Sequence, residues 1–246
     1  MKAEYDRAKQ DNGYAGSMNF LVKAGQVIGR IGGQTLDFAV WDTEKPLTGF
    51  IVPEHYQAEF WKIYTANPYD YFADDVKALL IERNPRIVDP IEGKIDYDLD
   101  GKLIGNWFVE DTNGYMGNNR EEYWSTHLAV APDHYDPSKY IISIGNFNNE
   151  AQQFSPVEAD FDAKNIGLDS GIVKVNLAQF SYVDENGNGW LGDAVIKGPK
   201  LQVQSNILGC ALFQLIEDRK LNFEAFPKQN CDQVSGFSNQ ARVYER

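Results

Sequence analysis

Histidine, cysteine and long apolar runs are what this sequence has least of. Its 246 residues hold 3 histidines and 2 cysteines. No Cys-x-x-Cys pair, Cys/His cluster or haem-attachment motif occurs, which excludes the familiar cysteine-based metal centres. No apolar run approaches the ~18 residues that carry a helix across a bilayer. The longest candidate, Ile207 to Ile216, is interrupted by Gly209, Cys210 and Gln214. Basic side chains are also in deficit, 23 against 36 acidic, for a formal net charge of −13. Such a surface repels phosphate backbones and anionic lipid, so nucleic acid is not an expected partner. A Gly-x-Ser-x-Gly elbow, a P-loop and a dinucleotide fingerprint are missing too, which removes the best-marked hydrolase and nucleotide-binding classes.

What the chain does contain is ordinary globular material, 43% hydrophobic with 13% aromatic residues. That is enough to bury a substantial core in one large domain or two small ones. Residues 14–56 read as short β segments (Phe20–Val22, Val27–Ile31, Leu36–Trp41, Phe50–Val52) punctuated by glycine. His55–Thr65 and Asp70–Glu82 are the helical candidates. In the second, Phe72, Val76, Leu79 and Leu80 recur at helical spacing and Asp70 is placed to cap. Asn84-Pro85 ends it, and the Pro90 region is the expected boundary between a module at 1–90 and a domain at 91–246.

Beyond that boundary the pattern is almost wholly β. Lys94–Leu99 alternates, Asp100-Gly101 turns and Lys102–Phe108 continues, a hairpin signal in which the aspartates face water. Further strands are expected at Trp124–Ala131, Tyr140–Ile144, Gly171–Phe180, Gly198–Gln204, Ile207–Ile216, Lys220–Phe226 and Gln240–Tyr244. So many short strands predict a mainly β fold, with the second domain an antiparallel barrel or a sandwich. Cys210 and Cys231 flank the Leu208–Phe226 hairpin; a disulfide and two buried thiols both fit that spacing.

Two resemblances accompany this reading. Val22-Lys23-Ala24-Gly25-Gln26-Val27-Ile28-Gly29, followed by Thr35-Leu36-Asp37-Phe38-Ala39-Val40, resembles the closing hairpin of lysostaphin-type zinc peptidases. The closing strand of that family reads His-Leu-His-Phe-x-Val, and its second histidine binds zinc. Here Thr35 and Asp37 stand at the histidine positions, and residues 1–21 contain no histidine. The resemblance therefore implies a degenerate peptidase-like β module without catalytic zinc. It also implies a secreted or envelope setting, although Met1-Lys2-Ala3-Glu4-Tyr5 opens no signal peptide; a cytoplasmic protein is the other reading. Asn67-Pro68-Tyr69-Asp70-Tyr71-Phe72 looks like the segment that follows the peptidase barrel. In the second domain, Gly105-Asn106-Trp107 resembles the Gly-x-Trp signature of lipocalins. That likeness implies a barrel closed at one end by Trp107, with a late basic residue, Arg242 or Arg246, stacked on it.

Candidate sites are few. Tyr115, Tyr123, Trp124 and Tyr135 cluster among Asn113, Asn118, Asn119, Arg120 and Glu121, and aromatic faces beside amides and carboxylates suit a small ligand or glycan. The same rings also suit packing. His127 and His134 bracket a strand, ~20 Å apart by strand rise, and so do not share a metal; His134 alone is a candidate catalytic base. Asp184, Asn186 and Asn188 alternate in a glycine-rich loop, with Asp193 following. The loop reads as turn chemistry first and as a calcium loop second. Asp96-x-Asp98-x-Asp100-Gly101 starts like a calcium loop but has Trp107 where the closing glutamate belongs. No other cofactor is expected. The reading favours a non-catalytic, secreted or envelope-associated binding protein. The alternatives are a hydrolase or lyase with a carboxylate/Tyr/His site in the second domain, and a structural subunit assembling through β edges.

Overall fold

Strand β1 (Gly105–Val109) opens a meander that returns to pair with its own starting strand. A computed structural model describes residues 21–29 and 38–246 of the chain. The other strands are β2 (His127–Pro132), β3 (Tyr140–Phe147), β4 (Glu150–Pro156), β5 (Val173–Val183), β6 (Gly189–Trp190), β7 (Lys200–Glu217), β8 (Lys220–Pro227) and β9 (Arg242–Glu245). Hydrogen bonding runs β4-β3-β2-β1-β9-β8-β7-β5-β6, and β4 also pairs with β5. That extra pairing, Ser155 with Ala178 and Pro156 with Leu177, closes eight antiparallel strands into a barrel. The barrel expectation holds and the sandwich alternative falls. Among the described strands, the two-residue β6 is the free edge of the sheet.

Alternation along the strands explains what fills the barrel. Trp107, Leu128, Val130, Ile142, Ile144, Phe154, Val175, Leu177, Phe213, Leu215, Leu221 and Tyr244 point inward and form one continuous buried cluster. The lumen is occupied by side chains.

Trp107 is fully buried, and its indole Nε1 donates to Leu103 O at 2.8 Å. The Arg246 guanidinium lies 3.9 Å from the Trp107 ring centroid. It donates to Ile104 O at 2.6 Å and Leu99 O at 2.7 Å, and also to Lys102 O. Burial pushes the Arg246 pKa down to about 10, so the group stays charged at neutral pH, with Asp98 at 3.9 Å.

The segment before β1 departs from the sequence reading. Lys94–Ile104 forms no regular strand, although Asp100-Gly101 does turn, with Lys102 N donating to Leu99 O at 3.1 Å. The phase is inverted: Asp96 and Asp98 are buried while Ile95 and Leu99 are 48% and 44% exposed. The cause is backbone satisfaction. Asp96 accepts from Gly49 N at 2.7 Å, and Asp98 accepts from Ile51 N at 3.2 Å and Asn106 N at 2.8 Å. These carboxylates cap orphan N–H groups of an irregular segment, which a buried backbone requires. Asp100 instead forms a two-pronged pair with Arg219, both contacts 2.9 Å.

The chain divides into two compact units, Met1–Phe38 and Ala39–Arg246. The division thus falls after Phe38 rather than near residue 90, because Phe50 and Tyr56 bury their rings with Phe108 of β1. In the first unit, Gln26 N donates to Lys23 O at 2.9 Å across a turn with Gly25 at φ +76°. Thr35 and Asp37, with the rest of the expected closing strand before Phe38, lie outside the described residues.

In the second unit, the 3-10 helix η1 (Pro53–Lys62) and a second, η2 (Pro68–Tyr71), precede helix α1 (Asp74–Arg83). Asp70 does not cap α1; Asn67 caps η2, accepting from Tyr69 N at 2.9 Å. β7 is one strand of 18 residues where two were expected, because Ser205-Asn206 lies at a register shift and not at a turn. Cys210 and Cys231 are bridged, tying the β8–β9 connection to β7.

Candidate functional site

Two glycines fold the β1–β2 connection into a shelf of aromatic rings. The 3-10 helix η3 (Gly114–Met116) lies against η1 so closely that a Cβ on Gly114, at φ +61°, would stand 2.5 Å from His55 O. Helix α2 (Glu122–Ser125) sits on β3, where a Cβ on Gly145 would stand 1.8 Å from Trp124 O. No side chain fits at either place.

The result is a run of edge-to-face rings. Tyr115 and Tyr123 are 5.6 Å apart and Tyr123 and Trp124 4.8 Å apart, with interplanar angles of 78° and 82°. His127, at the start of β2, lies 4.5 Å from Tyr115 and 5.7 Å from Trp124. Tyr115 and Tyr123 are half-buried, but Trp124 is 57% exposed.

Helix η1 supplies the charges. The Tyr123 hydroxyl donates to Glu59 Oε1 at 2.5 Å. Lys62 stands 3.1 Å from Glu59 Oε2 and 4.2 Å above the Tyr115 ring centroid. Desolvation opposes the Lys62 charge, but Tyr115 and Glu59 outweigh it and its pKa is raised. Desolvation and the bond to Glu59 likewise raise the Tyr123 phenol, so Tyr123 keeps its proton and Lys62 its charge at neutral pH. His127 places Nε2 2.7 Å from Tyr115 O, which assigns the proton to that nitrogen.

The asparagines turn inward to the loop. Asn118 N and Nδ2 bond Glu122 and Asp111 O, Asn119 Oδ1 accepts from Glu121 N and Glu122 N, and Asn113 Nδ2 donates to Gly117 O. They hold the shelf in shape. Glu59 and Lys62 went unnoticed in the sequence because they lie far upstream; their only signal was the i, i+3 spacing of opposite charges.

Tyr135 is not part of the shelf. It packs 5.2 Å from both Tyr182 and Trp190, beside Asp133, which accepts from the Tyr182 hydroxyl at 2.5 Å. Its neighbour His134 lines a cleft of about 460 Å³ together with Thr48, Asn67, Glu92, Lys94 and Asp96. Desolvation and the Arg86 charge hold the His134 imidazole below its ordinary value. In the Asp184 loop the carboxylate accepts from Asn186 N, Asn188 N and Asn188 Nδ2 at 2.8 to 3.1 Å, the pattern of an Asx turn. Among the described residues, no group of three His, Cys, Asp or Glu is placed to hold a metal ion.

All three histidines titrate below 6.5 for the same first reason, desolvation. A lowered folded-state pKa means that the unfolded chain binds more protons just below 6.5, so stability falls as pH drops through that value. The melting temperature should be flat from about pH 7.5 to the ordinary histidine value and decline below it. Asp98, raised by burial, acts with opposite sign. Thermal scans across this window check the prediction, and His55→Gln with His127→Gln should flatten the decline.

The chain matches no protein-family model, no curated protein and no solved structure.

Proposed function

We propose that this protein is a non-catalytic glycan-binding protein of an oxidising, extracytoplasmic setting, with the barrel as scaffold and the aromatic shelf as the site. The carrying observation is the exposed Trp124 ring, 57% accessible and flanked by Tyr123. An apolar sugar face stacks on such a ring, while Glu59 and Lys62, paired with each other and with Tyr123 and Tyr115, hold the shelf's rings in place. The occupied lumen supports a site outside the barrel. The Cys210–Cys231 bridge supports the compartment. The stacking of Arg246 on Trp107, together with the meander order, supports kinship with lipocalins as scaffold relatives.

Isothermal titration with a neutral β-1,4-linked oligosaccharide, chitopentaose, tests the reading. Trp124→Ala should weaken binding by about tenfold, ~1.4 kcal/mol, without changing the melting temperature. Equal affinity in the variant, or no heat from the parent chain, would remove the proposal.

One observation favours a second reading, a hydrolase or lyase. His134 is an imidazole kept uncharged on the wall of a cleft that also presents Glu92. Saturable turnover of an oligosaccharide that His134→Ala abolishes would favour this reading over the first. Assembly through β edges finds less support, since closure gives each long described strand a neighbour on both sides, though the Lys200–Ile207 stretch of β7 is paired on one side alone.

A further inference from the structure

At the end away from Trp107, the barrel finishes in a shallow dish of about 400 Å³. Phe223 of β8 and Tyr244 and Arg242 of β9 form its floor and one wall; Asn146, Asn148 and Asn149 of the β3–β4 turn form the opposite rim. Register puts Arg242 on the inner face: it pairs with the buried Phe223 and alternates with the buried Tyr244. A cation pointed into a barrel mouth would ordinarily be neutralised by a neighbouring acid. The exposed Arg242 side chain is not, as it makes no ion pair or side-chain hydrogen bond among the described residues. Glu224, which also lines the dish, has its carboxylate occupied by Ser238 N at 2.7 Å and Ser238 Oγ at 2.5 Å.

The rim is shaped for presentation. Asn148 and Asn149 both adopt left-handed backbone, φ 56° and 69°, and Asn149 N is bonded to Asn146 Oδ1 at 3.0 Å. The side-chain amides of Asn148 and Asn149 are left over, each able to donate and to accept.

We propose that this dish binds a carboxylate-bearing sugar of the hexuronate class. The guanidinium of Arg242 meets the carboxylate through two parallel N–H bonds, a geometry that its planar fork favours. The asparagine amides meet ring hydroxyls, and the Phe223 ring offers an apolar floor. One unpaired cation in a chain of net charge −13 selects a monoanion over a more highly charged phosphate. The inference is independent of the aromatic shelf, which lies on different elements.

The test is a ¹H–¹⁵N titration of the whole chain with D-glucuronate, D-glucose and inorganic phosphate. Glucuronate should saturate, with amide shifts centred on Asn146–Glu150 and Arg242–Tyr244. Glucose and phosphate should each bind at least tenfold more weakly. Arg242→Gln, an exposed position that the fold tolerates, should reduce glucuronate affinity to that of glucose; Trp124→Ala should leave it unchanged. Equal binding of glucose and glucuronate, tighter binding of phosphate, shifts centred elsewhere, no saturation, or an unaffected Arg242→Gln would each overturn the proposal. The comparison of sugars on the parent chain decides the matter even if the variant fails to fold.

Discussion

Replacing Trp107 with alanine should cost about 3–5 kcal/mol, the range found for large aromatic truncations in cores, and lower the melting temperature by about 6–20 °C. Trp107 is wholly inaccessible and belongs to the continuous cluster that fills the barrel. Its removal leaves a void in that cluster. It also strips the ring from beneath Arg246, which is buried and otherwise held by the carbonyls of Leu99, Lys102 and Ile104. A buried guanidinium deprived of its ring keeps its desolvation cost and loses an offsetting interaction. Chemical denaturation measures the effect. A soluble variant with unchanged stability would mean that the ring does not close the barrel.

Removing the disulfide should be nearly as damaging. The bridge joins residues 21 apart in sequence, and closing a loop of that length in the unfolded chain accounts for about 3 kcal/mol in the chain-entropy treatment. Cys210 is wholly buried on β7 and packs with Leu212 and Val234, so the double variant Cys210→Ala/Cys231→Ala also loses apolar contact. Cys231 N donates to Asn176 Oδ1 at 2.9 Å, which keeps the connection near β5 without the bridge. The variant should therefore fold, with its melting temperature lowered by about 6–12 °C. The same scan in reductant should move the parent chain toward the variant; a parent indifferent to reductant would contradict the bridge's contribution.

How much of this was legible in sequence depends on which force set each element. Where burial and period agree, as in Ile207–Ile216 and Lys220–Phe226, the strands lie where the pattern puts them. β4, Glu150-Ala-Gln-Gln-Phe-Ser-Pro156, carries one large buried ring, Phe154, and so gave no alternation to read. The aspartates at 96 and 98 misled because alternation shows that two faces differ, not which one is inside. Backbone N–H groups from Gly49 and Ile51, remote in sequence, decided that question.

The shelf was legible in part for a related reason. Tyr115, Tyr123 and Trp124 are close in sequence and meet in space, whereas Tyr135 belongs to a separate cluster across an intervening strand. Glu59 and Lys62 reach the shelf only through the packing of η1 on η3, which Gly114 permits and no local pattern announces.

The indole N–H signals of the 5 tryptophans offer the most direct test of glycan binding at the shelf. Trp124→Phe assigns one of them, and chitopentaose is then titrated into the parent chain. The account predicts that the Trp124 signal moves most and saturates, while that of Trp107, sealed in the barrel, stays fixed. A saturating titration that leaves the Trp124 indole unmoved would contradict it.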